Sequence, residues 1–347
     1  MDGGRRSLFA IGGYEEYLKE KGNGKLNTNG SSHITDEYLS SYTAKESDQM
    51  RHEKSKSGGD KSFVDYYYRL VTDFYEFGWG DCFHFAPLRK SESFQTSMRR
   101  HEYYLALRLG IKPTDHIVDM GCGIGGPARY ISAFTGAKVT GVTINEYQVA
   151  RAQKINEKVG NEVNVNVVQA DFMTMPFSEN SLDGAYAIES LCHTSDRLSV
   201  CKEAFRVLKP GAYFTGYDWV ITDRFDSKNL EHLEILSKIE KGNGLAPSVS
   251  ANELLSALKH AGFDVIDSFD STAKGNIPWW TPFLTSYTLQ GFATSKIGRW
   301  FTYLSVSFLE LIKLVPKGSA KVQTALTQGA DGLVEGGEKG IFTVGFF

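Results

Sequence analysis

The chain is poor in four respects, and each shortage excludes something. It has only 4 cysteines in 347 residues, and Cys82, Cys122, Cys192 and Cys201 form no C-x-x-C pair. That argues against a disulfide framework or a zinc site; no metal-ligand spacing is present, and no metal is expected. No stretch reaches the ~18 consecutive apolar residues of a membrane-spanning helix, and no signal-like apolar run follows the polar start Met1-Asp2-Gly3-Gly4-Arg5-Arg6. Charge is nearly balanced at net −3, which gives no electrostatic footprint for nucleic acid. Internal repeats are missing too, so solenoid and propeller architectures are set aside.

What the chain does have is one dense motif, Val118 to Ser132. His116 to Met120 reads as a strand ending in Asp119. Gly121, Gly123 and Gly125 follow at alternate positions, where the backbone must turn tightly and approach a ligand. Pro127 suits the first turn of a helix. Strand, glycine turn and helix together form the nucleotide-binding corner of a doubly wound sheet. Gly121, Gly123 and Gly126 also satisfy the dinucleotide pattern G-x-G-x-x-G. Two details favour S-adenosylmethionine over NAD. The Asp119 carboxylate would repel a pyrophosphate but attract an amino-acid ammonium. The second strand, Lys138 to Ile144, ends near Thr143, where an NAD enzyme carries its ribose-binding acid; Glu146 is the substitute.

The rest of the chain alternates strands and helices around that corner. Residues 1–60 are polar and read as a mostly mobile arm, with a turn or two of helix at Tyr14 to Glu20. Phe63, Tyr66, Tyr67, Leu70, Phe74 and Phe77 recur at helical spacing. They run into Tyr75 to Phe85, a cluster of aromatics around two glycines, Glu76 and His84. This segment reads either as core packing or as the wall of a pocket for a large apolar substrate. Its rings suit a cation, and Glu76 and His84 suit proton movement. Helix is expected over Ser91 to Leu109, Gly125 to Phe134, Asn145 to Lys158, Asp196 to Leu208 and Ser250 to His260. Strands are expected over Val163 to Ala170, Leu182 to Ile188, Ala212 to Val220, Phe263 to Phe269 and Ile341 to Phe347. Asp171 and Phe172 follow the third strand, placed to meet an adenine. Glu189, Cys192 and His193 follow the fourth, at the strand ends where ligands bind. Gly275 to Gly336 breaks the alternation and is expected to form a lid. Within it, Lys296, Arg299, Trp300 and Phe301 suit contact with a membrane surface.

From about Tyr66 onward the chain resembles the sterol 24-C-methyltransferases. The resemblance rests on Tyr75 to Phe85, Asp119 to Arg129, Tyr186-Ala187-Ile188-Glu189 with Cys192-His193, and Asp218-Trp219-Val220 with Thr222-Asp223. Ile277-Pro278-Trp279 and the Gly332 to Gly337 stretch add to it. It departs from the family at Asp81-Cys82, at Ser190-Leu191 and at Thr143-Ile144, which replaces an Asn-rich turn.

The resemblance implies an α/β fold of class I methyltransferase type, a Rossmann-like seven-stranded sheet with a helical lid inserted before the last, antiparallel strand. The expected units are an arm over 1–60, a helical and aromatic substrate segment over 61–115, a cofactor-binding core over 116–274, a lid over 275–336 and a last strand over 337–347. The implied activity is methyl transfer from S-adenosylmethionine to carbon 24 of a sterol side-chain alkene, through a carbocation. The rival is a methyltransferase for another lipid or terpenoid acceptor, such as a linear triterpene or a tocopherol-like compound. Tyr75, Phe77, Trp79 and Phe83 are expected to shelter the cation. The catalytic set is Tyr75, Glu76, His84, Glu189, His193 and Asp218, with the base left open among the last five. The cofactor set is Asp119, Gly121, Cys122, Gly123, Gly125, Thr143, Ile144, Asn145, Gln148, Ala170, Asp171, Phe172 and Glu189. A peripheral enzyme is expected on the cytoplasmic face of the endoplasmic reticulum or a lipid droplet, as a homo-oligomer.

Overall fold

The computed structural model describes residues 59–160, 164–284, 292, 294–315 and 318–347. The expected arm, with its helix at Tyr14 to Glu20, lies outside these residues except for its last two positions.

Seven strands form one sheet in the order β3-β2-β1-β4-β5-β7-β6. They are β1 (His116–Met120), β2 (Lys138–Thr143), β3 (Val165–Gln169), β4 (Leu182–Ile188), β5 (Leu208–Ile221), β6 (Phe269–Asp270) and β7 (Phe342–Phe346). The first five run parallel, whereas β7 is antiparallel to β5 and β6. The interior strands are apolar on both faces, as a parallel sheet covered by helices requires. Val118 of β1 and Ala185 of β4 are buried on one face, and Ile117 and Tyr186 on the other. The strand order reverses between β1 and β4, and a ligand crevice opens beyond the carboxyl ends of such a pair.

Helices α1 (Gly59–Gly78), α2 (Phe94–Leu109), α3 (Gly126–Thr135), α4 (Glu146–Val159), α5 (Arg197–Val207), α6 (Leu230–Gly242), α7 (Ala251–Ala261), α8 (Lys296–Leu311) and α9 (Ser319–Lys339) surround the sheet. Their ends follow local chemistry. The side chains of Ser93, Asn145, Asp196, Asn229 and Ser250 each accept a backbone N–H at a helix start. Ser250 and Glu253 complete a reciprocal capping box.

Two elements differ from the sequence reading. The sixth strand was expected over Phe263 to Phe269 but pairs only at Phe269 and Asp270. It lies at the sheet edge, and β7 meets it in register at those two residues alone. Helix α6 was not singled out, although Asn229 and the spacing of Leu233, Leu236 and Ile239 carry its signal.

The segment expected to form a lid is anchored by a helix crossing. Helix α9 lies on α6 so closely that a Cβ on Gly242 would overlap the Gly329 backbone. A Cβ on Gly332 would press on Lys238 and Ile239, and one on Gly337 would run into the Trp280 ring. Gly242, Gly329 and Gly332 let the two backbones touch, and Gly337 makes room for the Trp280 ring. Tyr67 and Val71 of α1 pack with Val322 and Ala325 of α9, so the aromatic helix and the lid share one apolar seam.

Candidate functional site

The glycine turn after β1 sits at the switch point. Gly121, Gly123 and Gly125 all have positive φ (88°, 55° and 78°), a conformation that L side chains rarely adopt. A Cβ on Gly121 would also overlap Ser190, whose hydroxyl donates to the Met120 carbonyl. Asp119 is 2% exposed, and its Oδ2 has no hydrogen-bond partner among the described residues. Burial pushes its carboxyl up to about 7, with the neighbouring Tyr186 hydroxyl working the other way. A buried carboxylate oxygen left unpartnered is costly unless a ligand pairs with it.

Asp119 opens onto a cavity of about 550 Å³. Its lining includes Gly121, Cys122, Gly123, Thr143, Ile144, Gln148, Asp171 and Phe172. The Thr143 hydroxyl donates to Gln148 Oε1 at 2.7 Å, fixing the floor after β2. Asp171 accepts from the Met173 N–H and pairs with Lys61 at 3.1 Å. Three members of the expected cofactor set stand behind the lining. Asn145 caps α4 and holds Asp65 of α1 at 2.9 Å. Gly125 caps α3, and the half-buried Ala170 packs against the core.

A second cavity, of about 140 Å³, is lined mainly by rings and aliphatic side chains. Tyr75, Phe77, Trp79, Phe83 and Phe85 come from the aromatic segment, Trp219 from β5, and Phe283 and Leu333 from the lid. Trp79 donates from Nε1 to the His84 carbonyl at 2.7 Å and stacks edge-on with Phe85. The Tyr75 and Phe83 rings lie 5.5 Å apart. The Tyr75 hydroxyl meets that of Tyr67 at 2.6 Å, and burial pushes its phenol up to about 12.

The two cavities share a wall. Tyr68, Phe83, His84, Glu189 and His193 line both. Glu189 follows β4 directly with φ +49°, an uncommon value for a non-glycine residue. Its carboxylate accepts the Phe85 N–H at 2.8 Å, and burial raises it to about 8. His84 is gripped by the Phe85 carbonyl (2.9 Å) and Glu102 (3.1 Å). His193 is held between the Gly244 carbonyl (2.9 Å) and the Tyr68 hydroxyl (2.8 Å).

Three residues of the expected catalytic set are absent from this wall: Tyr75 lines the aromatic cavity alone, and Glu76 and Asp218 line neither cavity. Glu76 points from α1 to Arg151 of α4, which donates to it at 2.8 Å. An ion pair forms there because α1 lies across the N-terminal half of α4. Asp218 is buried behind the wall, where its Oδ1 accepts the N–H groups of Cys192 (3.2 Å) and Trp219 (3.0 Å). It holds the turn after β4 and does not reach either cavity. Conversely, Tyr68 belongs to the wall and was not singled out. Its signal is the helical spacing that puts Val64, Tyr68 and Tyr75 on one face of α1.

Comparison with known proteins gives a consistent result. Residues 118–215 match a methyltransferase domain family, and residues 289–347 match the sterol methyltransferase C-terminal family. A cycloartenol-C-24-methyltransferase of Arabidopsis thaliana is 45% identical over 296 residues, 85% of this chain and 88% of the relative. A sterol 24-C-methyltransferase of Kluyveromyces lactis is 39% identical over 94% of this chain and 93% of the relative. Among solved structures, a cyclopropane synthase from Mycobacterium tuberculosis superposes with a TM-score of 0.65 at 16% identity, over 82% of this chain and 96% of its own. A geranyl diphosphate C-methyltransferase from Streptomyces coelicolor gives 0.55 at 18% identity, over 76% of this chain and 89% of its own. These two likenesses concern the fold.

Proposed function

The chain belongs to the sterol 24-C-methyltransferase family, and from that membership we propose how its own residues divide the work. It is an S-adenosylmethionine-dependent enzyme that methylates carbon 24 of a sterol side chain in sterol biosynthesis. When bound, the cofactor supplies an electrophilic sulfonium methyl. The cavity beside Asp119 suits it: the unpartnered Oδ2 awaits a cation, the positive-φ glycines bring backbone to the ligand, and Asp171 and Phe172 offer an acceptor and a ring to an adenine.

The aromatic cavity takes the sterol side chain. The observation that supports this reading is the shared wall: Phe83 lines both cavities, and the Tyr75 ring of the aromatic cavity lies 5.5 Å from it. The alkene π bond attacks the methyl, so no protein nucleophile is needed. The chain aligns the two partners, an effect worth ~7–11 kcal/mol at best. It also excludes water and faces π clouds toward the tertiary cation that forms. The test is to incubate the purified protein with methyl-labelled S-adenosylmethionine and a panel of sterols. Label should appear on a sterol with a side-chain alkene and not on its saturated counterpart. Label in neither, from folded protein that binds the cofactor, overturns the reading.

Sterols reside in lipid, and one face of α8 suits a lipid surface. Among the described residues no helix is long and apolar enough to cross a membrane. Yet Ile297 (64% exposed), Trp300 (56%), Phe308 (60%) and Leu311 (78%) face outward, while Arg299 and Thr302 of the same helix line the aromatic cavity. A peripheral position on the endoplasmic reticulum or a lipid droplet follows from this reading. Trp300→Asp with Leu311→Asp should abolish flotation on sterol-containing vesicles. Unchanged flotation together with a change in oligomeric state would instead make this face a contact between copies.

A further inference from the structure

We propose that Tyr68 and His193 form a neutral proton relay that removes the departing proton from the methylated sterol cation. This rests on the reading that the aromatic cavity holds the sterol alkene. The argument begins with position. Methyl transfer must occur where the two cavities meet, and five residues line both. Phe83 has no basic atom. His84 has one ring nitrogen on the Phe85 carbonyl and the other on Glu102. Glu189 is bound to the Phe85 N–H and, raised to about 8, is largely protonated at neutral pH. Tyr68 and His193 remain.

Their hydrogen bonds fix the direction of proton flow. The Gly244 carbonyl can only accept, so Nδ1 of His193 carries the proton. Nε2 of the neutral ring is then the acceptor, and the Tyr68 hydroxyl donates to it at 2.8 Å. The Tyr68 oxygen thereby keeps its lone pairs free to accept. Both ends of the relay are held. His193 closes the short turn Leu191–His193 at the end of β4. Gly244 sits at φ +63°, where a Cβ would meet the Tyr67 ring at 2.7 Å, so its carbonyl is locked in place beneath α1.

The step balances without any further reagent. A C–H bond adjacent to the cationic carbon breaks, and its electron pair becomes the new double bond. The proton bonds to the Tyr68 oxygen as the original phenolic proton passes to His193 Nε2. The positive charge ends on the imidazolium, whose Nδ1–H still donates to Gly244. That proton returns to water after the product leaves. Burial holds the Tyr68 phenol well above its ordinary value, so no phenolate stands beside the cation. A neutral base has a second merit: an ionised carboxylate in contact with a carbocation would be alkylated to an ester.

The experiment uses the full chain with a sterol deuterated on the carbons flanking the cation. Tyr68→Phe removes the acceptor, and His193→Gln keeps an acceptor for the Tyr68 hydroxyl but cannot be protonated. Each variant should lose turnover on the order of 10²-fold, the usual yield of a positioned acid–base group. Cofactor and sterol dissociation constants should stay within about threefold, since ground-state binding does not use the relay. The deuterium isotope effect on kcat should exceed that of the unaltered enzyme in both variants. As a ratio of two rates, it is insensitive to any misfolded fraction. Wild-type turnover in His193→Gln, or reduced turnover with no growth of the isotope effect, overturns the relay. Failure of the unaltered enzyme to methylate any sterol would overturn the proposed function and not this step alone.

Discussion

His84 Nε2 and Glu102 Oε1 meet at 3.1 Å in a region where the two side chains are 2% and 0% exposed. Arg99 joins them, donating to Glu102 Oε2 at 2.8 Å and to the Cys82 sulfur at 3.2 Å. The aromatic segment is thus pinned to α2 by a buried charge network and not by packing alone. Removing one partner of such a network leaves the others buried and unpaired. Glu102→Ala should therefore cost about 3–5 kcal/mol, seen as an early midpoint in urea unfolding. A loss below 1 kcal/mol would mean that water repairs the gap.

The same network makes stability depend on pH. Burial pulls the His84 ring down, but the hydrogen bond and charge of Glu102 outweigh it, and the folded value lies above that of free histidine. A raised histidine stabilises fully below its unfolded value, about 6.5, and that contribution fades as pH rises through the folded value. The stability difference between the unaltered protein and His84→Gln should accordingly be larger at pH 6 than at pH 9. A constant or growing difference would contradict the charged pair.

Asp119 titrates in the opposite sense. With its folded value at about 7, the carboxyl is neutral in acid and cannot pair with an ammonium. Cofactor affinity should weaken by about tenfold per pH unit below 7 and level off above it. Asp119→Asn should bind weakly with no such slope. Calorimetric titrations between pH 5.5 and 8 decide the matter; equal slopes would remove Asp119 from the binding role.

The Tyr75 ring and its hydroxyl can be separated. Tyr75→Phe keeps the ring face and loses the 2.6 Å bond to Tyr67. Tyr75→Leu keeps apolar bulk but loses the ring, worth ~0.5–2 kcal/mol toward a cation. Turnover should fall further in the leucine variant, by up to roughly 30-fold, while sterol binding changes less because the ground-state sterol carries no charge. Equal turnover with binding lost in both variants would make the segment a wall and no more.

Glu76 supplies the negative control. It pairs with Arg151 away from both cavities, with the two side chains 25% and 35% exposed. Glu76→Gln should leave kcat within about twofold and cost no more than about 1 kcal/mol of stability. A large drop in kcat at normal stability would return Glu76 to the catalytic set.

Legibility in the sequence followed the range of the interactions. The strand ending at Asp119, the glycine turn and the helix starts at Asn145 and Ser250 are written in consecutive residues, and the fold places them as read. Glu76 and Asp218 were assigned from their neighbourhood in the chain. Their partners, Arg151 and the Cys192 N–H, are supplied by distant elements that local patterns do not encode. Tyr68 was hidden because three consecutive tyrosines differ only in helical phase, and phase has meaning only once the opposing helix is known. The sixth strand was overread because Phe263 packs on Phe205 of α5 and Phe214 of β5, and Ile266 is exposed, without either joining the ladder.

The glycine crossing of α6 and α9 bears on how this enzyme can diverge. Gly242, Gly329 and Gly332 leave no room for a side chain, so drift at those positions is closed and the angle between the helices is inherited as a unit. Ala330 and Leu333, interleaved with them on α9, face the aromatic cavity. On the α9 side, retailoring the pocket to a bulkier or slimmer side chain therefore runs through Gln323, Leu326, Ala330 and Leu333, which line it beside the glycines. The same contact keeps the backbone fixed while those few positions vary, so a change in acceptor preference on this side would appear at Ala330 and Leu333 before any change in architecture.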